Sequence, residues 1–296
     1  MLRLEKKLFT IFLFVSFVLF FLSFVNFNSV IKKNKNRLNI LVTNGAIYDF
    51  VKNIGGDKIN LLKLTFLNKE GHMHNVELMP QDIITLNSAD LVFKIGYGID
   101  DWIDKYLVNT TKTVYKLDDG VNLIKDKNNI NPHYWLSIKN AKIIVKNINK
   151  ILKINDPNNS FYYDKKTFDY LNKLNELEDY ALNKLNPLIN KEVIITHPAF
   201  DYLFNDYGIK VVAVIYSDEL KEMSAREILD LSKKIKEEKI EVIFVEKGLV
   251  TNFTKQISDL FNLKMFFLNP IEVINDSESY YNLMIENINT IKKALQ

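Results

Sequence analysis

Short, unbroken apolar runs recur along this chain, separated by helically patterned segments, and that alternation limits its possible folds more than any other feature. Residues 38–43 form the first such run. Asn44-Gly45 then opens a stretch with apolar residues at Ile47, Phe50, Val51 and Ile54, a helical spacing that ends at Gly55-Gly56, where glycine supplies positive φ. Further runs at 59–64 and 91–95 flank a short helix at 80–87 that carries proline in its first turn. Strands apolar on both faces and separated by helices build parallel sheets, so the fold class is α/β.

The middle of the chain breaks this rhythm. Ile138, Ala141, Ile144, Val145, Ile148 and Leu152 keep helical spacing until Asp156-Pro157 stops it. A second helix is predicted over 158–185, with Phe161, Phe168, Leu171, Leu174, Leu182 and Leu185 on one side. Its length of about 40 Å matches a small domain, which makes it a stiff connector between two lobes. Beyond Asn186-Pro187 the alternation resumes, with strands at 193–196, 211–215, 242–245 and 264–268 and helices at 225–238, 253–261 and 280–295. The expected organisation is a segment 1–37, an N-terminal α/β lobe 38–157, a connecting helix 158–186 and a C-terminal α/β lobe 187–296.

Residues 8–27 are apolar except for Thr10, Ser16, Ser23 and Asn26, and about twenty such residues suffice to cross a bilayer. Arg3, Lys6 and Lys7 precede the run, and Lys32, Lys33, Lys35 and Arg37 follow it, so charge does not settle its orientation. With no small-residue cleavage site after it, we read it as an uncleaved transmembrane anchor rather than a cleaved signal. The chain has no cysteine, which removes disulfides, cysteine-ligated zinc sites and a thioether-linked lipid. A net charge of +3 with scattered lysines gives no support to nucleic-acid binding.

Three of the four histidines stand at turn-like junctions: His74 after Gly71-His72-Met73, His133 in Asn131-Pro132-His133-Tyr134-Trp135-Leu136, and His197 in Ile195-Thr196-His197-Pro198-Ala199-Phe200. Proline stiffens the last two turns, and His197 falls at the carboxyl end of a strand, where open α/β sheets bind ligands. Together the three could form an imidazole site for zinc, iron or copper. Each taken singly also fits a surface or hydrogen-bonded core residue. His72 could be an accessory contact or simply solvated, and Glu77 is read as structural or supporting. Gly96-Tyr97-Gly98 lacks the third glycine of a dinucleotide loop and is read as a tight turn.

The ordered series resembles the metal-binding solute-binding proteins of ABC transporters, the zinc and manganese group called cluster A-I. It comprises Ile54-Gly55-Gly56-Asp57, the segment from His74 to Asp82, Gly96-Tyr97-Gly98 with Asp100-Asp101-Trp102, Pro132-His133-Tyr134-Trp135-Leu136, His197-Pro198-Ala199-Phe200, Ile243-Phe244-Val245-Glu246 and Tyr280-Tyr281-Asn282. That resemblance implies His74, His133 and His197 as ligands of a divalent metal, with histidine in the third position closest to the zinc binders and Mn2+ or Fe2+ as other cargoes. It also implies delivery of the metal to a permease driven by an ATPase, a monomer outside the cytoplasm, and no enzymatic activity. Two positions depart from the pattern. Asn269 stands where many members carry Asp, leaving the fourth ligand to its oxygen, a water or a nearby glutamate, and Ser137 replaces the Asp that usually follows Trp-Leu. The competing reading is a membrane-anchored zinc-dependent hydrolase built on the same histidines, with Glu77 or Glu246 as general base.

Overall fold

The computed structural model describes residues 37–68, 76–108, 110–126, 129–217 and 221–296. The apolar run at 8–27 and the loop carrying His72 and His74 lie outside them. Among the described residues no helix is long and apolar enough to cross a membrane.

Two four-stranded parallel sheets form the frame. The first contains β1 (Leu38–Val42), β2 (Ile59–Leu62), β3 (Leu91–Lys94) and β4 (Thr113–Lys116) in the order β2-β1-β3-β4. Helix α1 (Gly45–Gly55) links β1 to β2, and α2 (Pro80–Ser88) precedes β3. Strand β4 has no place in the apolar pattern because it is an edge strand whose residues are mostly exposed. The second sheet contains β5 (Glu192–Ile195), β6 (Lys210–Val214), β7 (Val242–Glu246) and β8 (Lys264–Leu268) in the order β8-β7-β5-β6. Between the sheets in sequence run α3 (Ile138–Asn155) and α4 (Ser160–Leu185); α5 (Asp201–Asp206), α6 (Ala225–Glu238), α7 (Asn252–Phe261) and α8 (Tyr280–Leu295) belong to the second half.

Successive strand residues point to opposite faces, and this period of two divides each strand between cores. Ile40 and Val42 join a central core, whereas Leu41 faces a separate cluster with Val92 and Leu86. In the second sheet Val193, Ile195 and Phe244 face the same central core, while Ile194, Ile243 and Val245 pack with Leu231, Ile235 and Ile257 under α6 and α7. The central core therefore runs unbroken from one sheet to the other, through α3, α4 and α8.

Helix α4 packs along α3, α8 and α1. Its buried seam is Tyr163, Thr167, Tyr170, Leu174, Leu177, Ala181 and Leu185, steps of four and three that keep one stripe facing the core. The face expected from hydrophobicity alone is rotated from this one: Phe161 is 84% exposed and Phe168 65%. Tyrosines take the seam because their hydroxyls find acceptors inside it. The Tyr170 hydroxyl donates to Asp49 Oδ2 at 2.7 Å and the Tyr163 hydroxyl to Asp156 Oδ2 at 2.5 Å.

The two halves meet at a seam of directional bonds. Gly45 N–H donates to the Glu272 carbonyl at 2.7 Å and Ala46 N–H to that of Ile271 at 3.0 Å, so two of the first N–H groups of α1, which have no partner within the helix, are satisfied across the seam. A Cβ on Gly45 would stand 2.9 Å from the Glu272 carbonyl oxygen, so only glycine permits this approach. Ser137, the N-cap of α3, donates its hydroxyl to Asp206 Oδ2 at 2.6 Å. The carboxylate expected at 137 is thus supplied from the opposite half.

Leu174→Ala, which empties a fully buried site, is expected to lower the unfolding free energy by about 3 kcal/mol, whereas Phe168→Ala changes it by no more than about 0.5 kcal/mol, both read from urea midpoints at constant slope. Burial pushes the Asp49 carboxyl above its ordinary value of 3.8, outweighing the bonds from Tyr170 and from Tyr280 N–H. The folded state therefore holds this proton at pH values where the unfolded chain has lost it. Its contribution is fully present below pH 3.8 and is lost as pH rises through the folded-state value. Asp49→Asn is accordingly expected to show a smaller fall in stability between mild acid and neutral pH than the parent protein.

Candidate metal centre

In both sheets the strand order places a topological switch at the centre, where the chain leaves neighbouring strands in opposite directions and opens a crevice at their carboxyl ends. In the second sheet this crevice lies between β5 and β7. His197 follows β5 in extended backbone, and Glu246 is the last residue of β7. Their junction is tied by Thr196 N–H to the Phe244 carbonyl at 2.9 Å and by Glu246 N–H to Thr196 Oγ1 at 3.1 Å. Glu246 Oε2 then lies 2.9 Å from His197 Nδ1. A carboxylate so placed accepts the Nδ1 proton and leaves the Nε2 lone pair for another partner.

His133 is fixed in the same sense by different atoms. Asn131 Oδ1 accepts the His133 backbone N–H at 3.0 Å and stands 3.0 Å from its Nδ1, while Asn131 Nδ2 donates to the Pro198 carbonyl at 2.8 Å. Because a carbonyl only accepts, the amide nitrogen must face Pro198 and its oxygen must face His133. An amide oxygen accepts too, so the Nδ1 of His133 is a proton donor, and in the neutral ring Nε2 is the basic nitrogen. The same asparagine bonds His133 itself and Pro198, the residue after His197, and its own carbonyl accepts the Tyr202 hydroxyl at 2.7 Å.

The rings of His133 and His197 approach to 4.9 Å between centroids at 90°. Glu272 brings a carboxylate: its Oε1 lies 3.7 Å from His133 Nε2. His133, His197, Glu246 and Glu272 are each at most 2% exposed. Two carboxylates and two imidazoles collected out of water favour a cation among them, since buried anionic charge is costly unless compensated. Among the described residues no three such side chains complete a metal-holding group on their own.

Asn269, the expected fourth ligand, is held by hydrogen bonds on both its side chain and its backbone. Its Oδ1 accepts the Ile271 N–H at 2.8 Å, and its backbone is bound on both sides by Asn287, at 2.8 Å each. It shapes the turn after β8, and the acid that this turn aims at His133 is Glu272, three residues on. The sequence signal for Glu272 was its place in Leu268-Asn269-Pro270-Ile271-Glu272, beside the position where the family carries Asp. The supporting role of Asn131 has no sequence signal beyond its place two residues before His133. Glu77 is exposed, and Glu246 is bonded to His197.

A buried set of imidazoles and carboxylates between two parallel-sheet lobes, joined by one long helix, defines a metal-binding substrate-binding protein of an ABC transporter. The chain belongs to the family described as zinc-uptake complex component A, periplasmic, whose model matches residues 40–294. It is 30% identical over 278 residues to the manganese ABC transporter substrate-binding lipoprotein PsaA of Streptococcus mitis, covering 88% of this chain and 89% of the relative. Among solved structures it resembles FpvC of Pseudomonas aeruginosa in complex with Mn2+, with a TM-score of 0.78, 28% identity, and coverage of 88% of this chain and 98% of that one. The Zn(II)-bound ZnuA-like domain of AdcA from Streptococcus pneumoniae gives a TM-score of 0.72 at 26% identity, covering 88% and 99%. These are substrate-binding proteins rather than enzymes, and the hydrolase reading finds no support among them.

In metal-free protein, at a pH where both imidazoles are neutral, nitrogen NMR is expected to show His133 and His197 as Nδ1–H tautomers. Glu246→Ala should release this preference at His197 and leave His133 unchanged.

Proposed function

We propose that the protein captures a divalent transition metal, zinc foremost, with His74, His133, His197 and Glu272, and delivers it to an ABC permease powered by an ATPase. The observation that carries this reading is the matched preparation of two imidazoles. Both give up Nδ1 to a fixed acceptor, so both offer Nε2, as metal-bound histidines do. Imidazole-rich sites with few carboxylates suit zinc, whereas manganese favours oxygen donors. Glu272 replaces Asn269 as the fourth ligand in this proposal because a carboxylate is the stronger donor and its oxygen already stands beside His133 Nε2.

The lobes of this reading are 38–157 and 187–296, with 158–186 connecting them. Bonds across the seam from Gly45, Ala46, Trp135 and Asn131 favour small tilts over wide closure. We place the protein outside the cytoplasm as a monomer, held to the membrane by its N-terminal apolar segment. Relatives named lipoproteins are tethered differently by name, and a chain without cysteine cannot carry a thioether-linked lipid.

His133→Ala is expected to abolish stoichiometric zinc binding, and Glu272→Ala to weaken it about 100-fold or more, since even supporting residues cost about 10- to 100-fold. Asn269→Ala retains zinc with a smaller loss. Competition titration against a chelating indicator, with circular dichroism to show that each variant is folded, measures this; zinc retained by His133→Ala at wild-type affinity would overturn the assignment.

A further inference from the structure

The two phenylalanines of α4, Phe161 and Phe168, face solvent, while Tyr163 and Tyr170 face the core. A spacing of seven residues is two helical turns, so both rings leave the helix on one face, about 10 Å apart. Beside Phe161 the half-buried Tyr162 stands against Gly56, and its hydroxyl bonds Asp57. Lys58 Nζ and Lys166 Nζ lie 5.3 and 5.7 Å from the centre of the Tyr162 ring. Exposed phenylalanine, tyrosine with a wet hydroxyl, and lysines with long apolar stems are the side chains that suit a bilayer interface. Charge adds little here, because Lys58 is paired with Asp57 at 3.4 Å, Lys153 with Asp164 at 2.8 Å and Lys165 with Asp169 at 3.2 Å. The attraction of this face is its apolar surface.

What covers that surface follows from where the chain enters the lobe. Leu38 opens β1 beside Ile59, the first residue of β2, and the turn Gly56-Asp57-Lys58, against which Tyr162 stands, directly precedes Ile59. The first turns of α4 therefore lie at the end of the lobe where the chain arrives from its apolar run at 8–27. Ten residues, 28–37, separate that run from Leu38, a reach of at most about 35 Å. We propose that Phe161 and Phe168, with Tyr162 beside them, form a docking face that rests in the headgroup region of the bilayer to which the chain is anchored. Tethering makes this docking intramolecular, so a contact too weak to recruit a free protein suffices to orient a tethered one. It holds the lobe at the amino ends of its strands and leaves the crevice at their carboxyl ends clear of lipid. The inference rests on the anchoring proposed above.

A chain without cysteine accepts a single one as its sole labelling site. Lys165→Cys, one turn after Phe161, and Lys236→Cys, exposed on α6, each carry a fluorophore in the full-length protein reconstituted into phosphatidylcholine vesicles with quenchers at headgroup depth. The label at 165 is expected to be quenched and the label at 236 to stay bright. Adding Phe161→Ser and Phe168→Ser should bring the first to the level of the second with circular dichroism unchanged, since both rings are exposed. Equal quenching at the two positions, or quenching at 165 that survives the double serine change, overturns the proposal. Quenching confined to vesicles containing phosphatidylglycerol also overturns it, because the attraction would then be electrostatic. So does energy transfer between labels at 165 on different copies without quenching by lipid, which would make the face a contact between proteins. Protein that fails to float with the vesicles would instead overturn the anchoring beneath the proposal.

Discussion

The contact on which the rest of the structure depends is the approach of the α1 N-terminus to the turn at Ile271 and Glu272. Two backbone N–H groups of the first half donate to two carbonyls of the second, at 2.7 and 3.0 Å, through a gap that a single methyl group would close. Helix N-terminal N–H groups have no partner within their own helix, so bonding them elsewhere avoids leaving donors unsatisfied in the interior. The same turn carries Glu272 toward His133 and receives Trp135 Nε1–H on Pro270. The bond that joins the lobes and the geometry that shapes the site are consequently one arrangement.

Around that contact lies a layer of buried polar groups that bridge elements distant in sequence. Asp49 collects the Tyr170 hydroxyl and Tyr280 N–H, and Asp206 collects the Ser137 hydroxyl. Burial raises the pKa of both acids, a cost that an apolar core would not carry. What these groups add is direction: a hydrogen bond fixes angle and register between helices, whereas apolar contact alone tolerates sliding. Asn131 shows the same economy, since one amide sets the His133 tautomer and ties the turn to Pro198 in the other lobe.

Much of the fold was legible because burial on both faces leaves an unmistakable apolar run. Strands such as 38–42 and 242–246 read directly, as did the proline stop after α3. Strand β4 did not, because an edge strand need not be apolar. The buried face of α4 was misjudged for a related reason: Phe161 and Phe168 outrank Tyr163 and Tyr170 in hydrophobicity, but only the tyrosines find acceptors in the seam. At the site, His133 and His197 stood out in the sequence for their proline-bearing turns, while the approach of Glu272 to His133 and the orienting contact of Asn131 became evident only with distances in hand.

By itself the sequence determined the parallel α/β class, the long helix and the histidines on which the metal reading is built. These follow from local periodicity and residue chemistry, which need no knowledge of what lies across the molecule. Tertiary structure alone decided which acid faces His133, which ring nitrogen each imidazole offers, and how near the two halves can come. Each of those depends on atoms far apart in the chain: Glu272 and His133 are brought together by the Gly45 contact, and Glu246 reaches His197 because β7 lies beside β5. Local pattern sets the elements, and contacts between them set the chemistry.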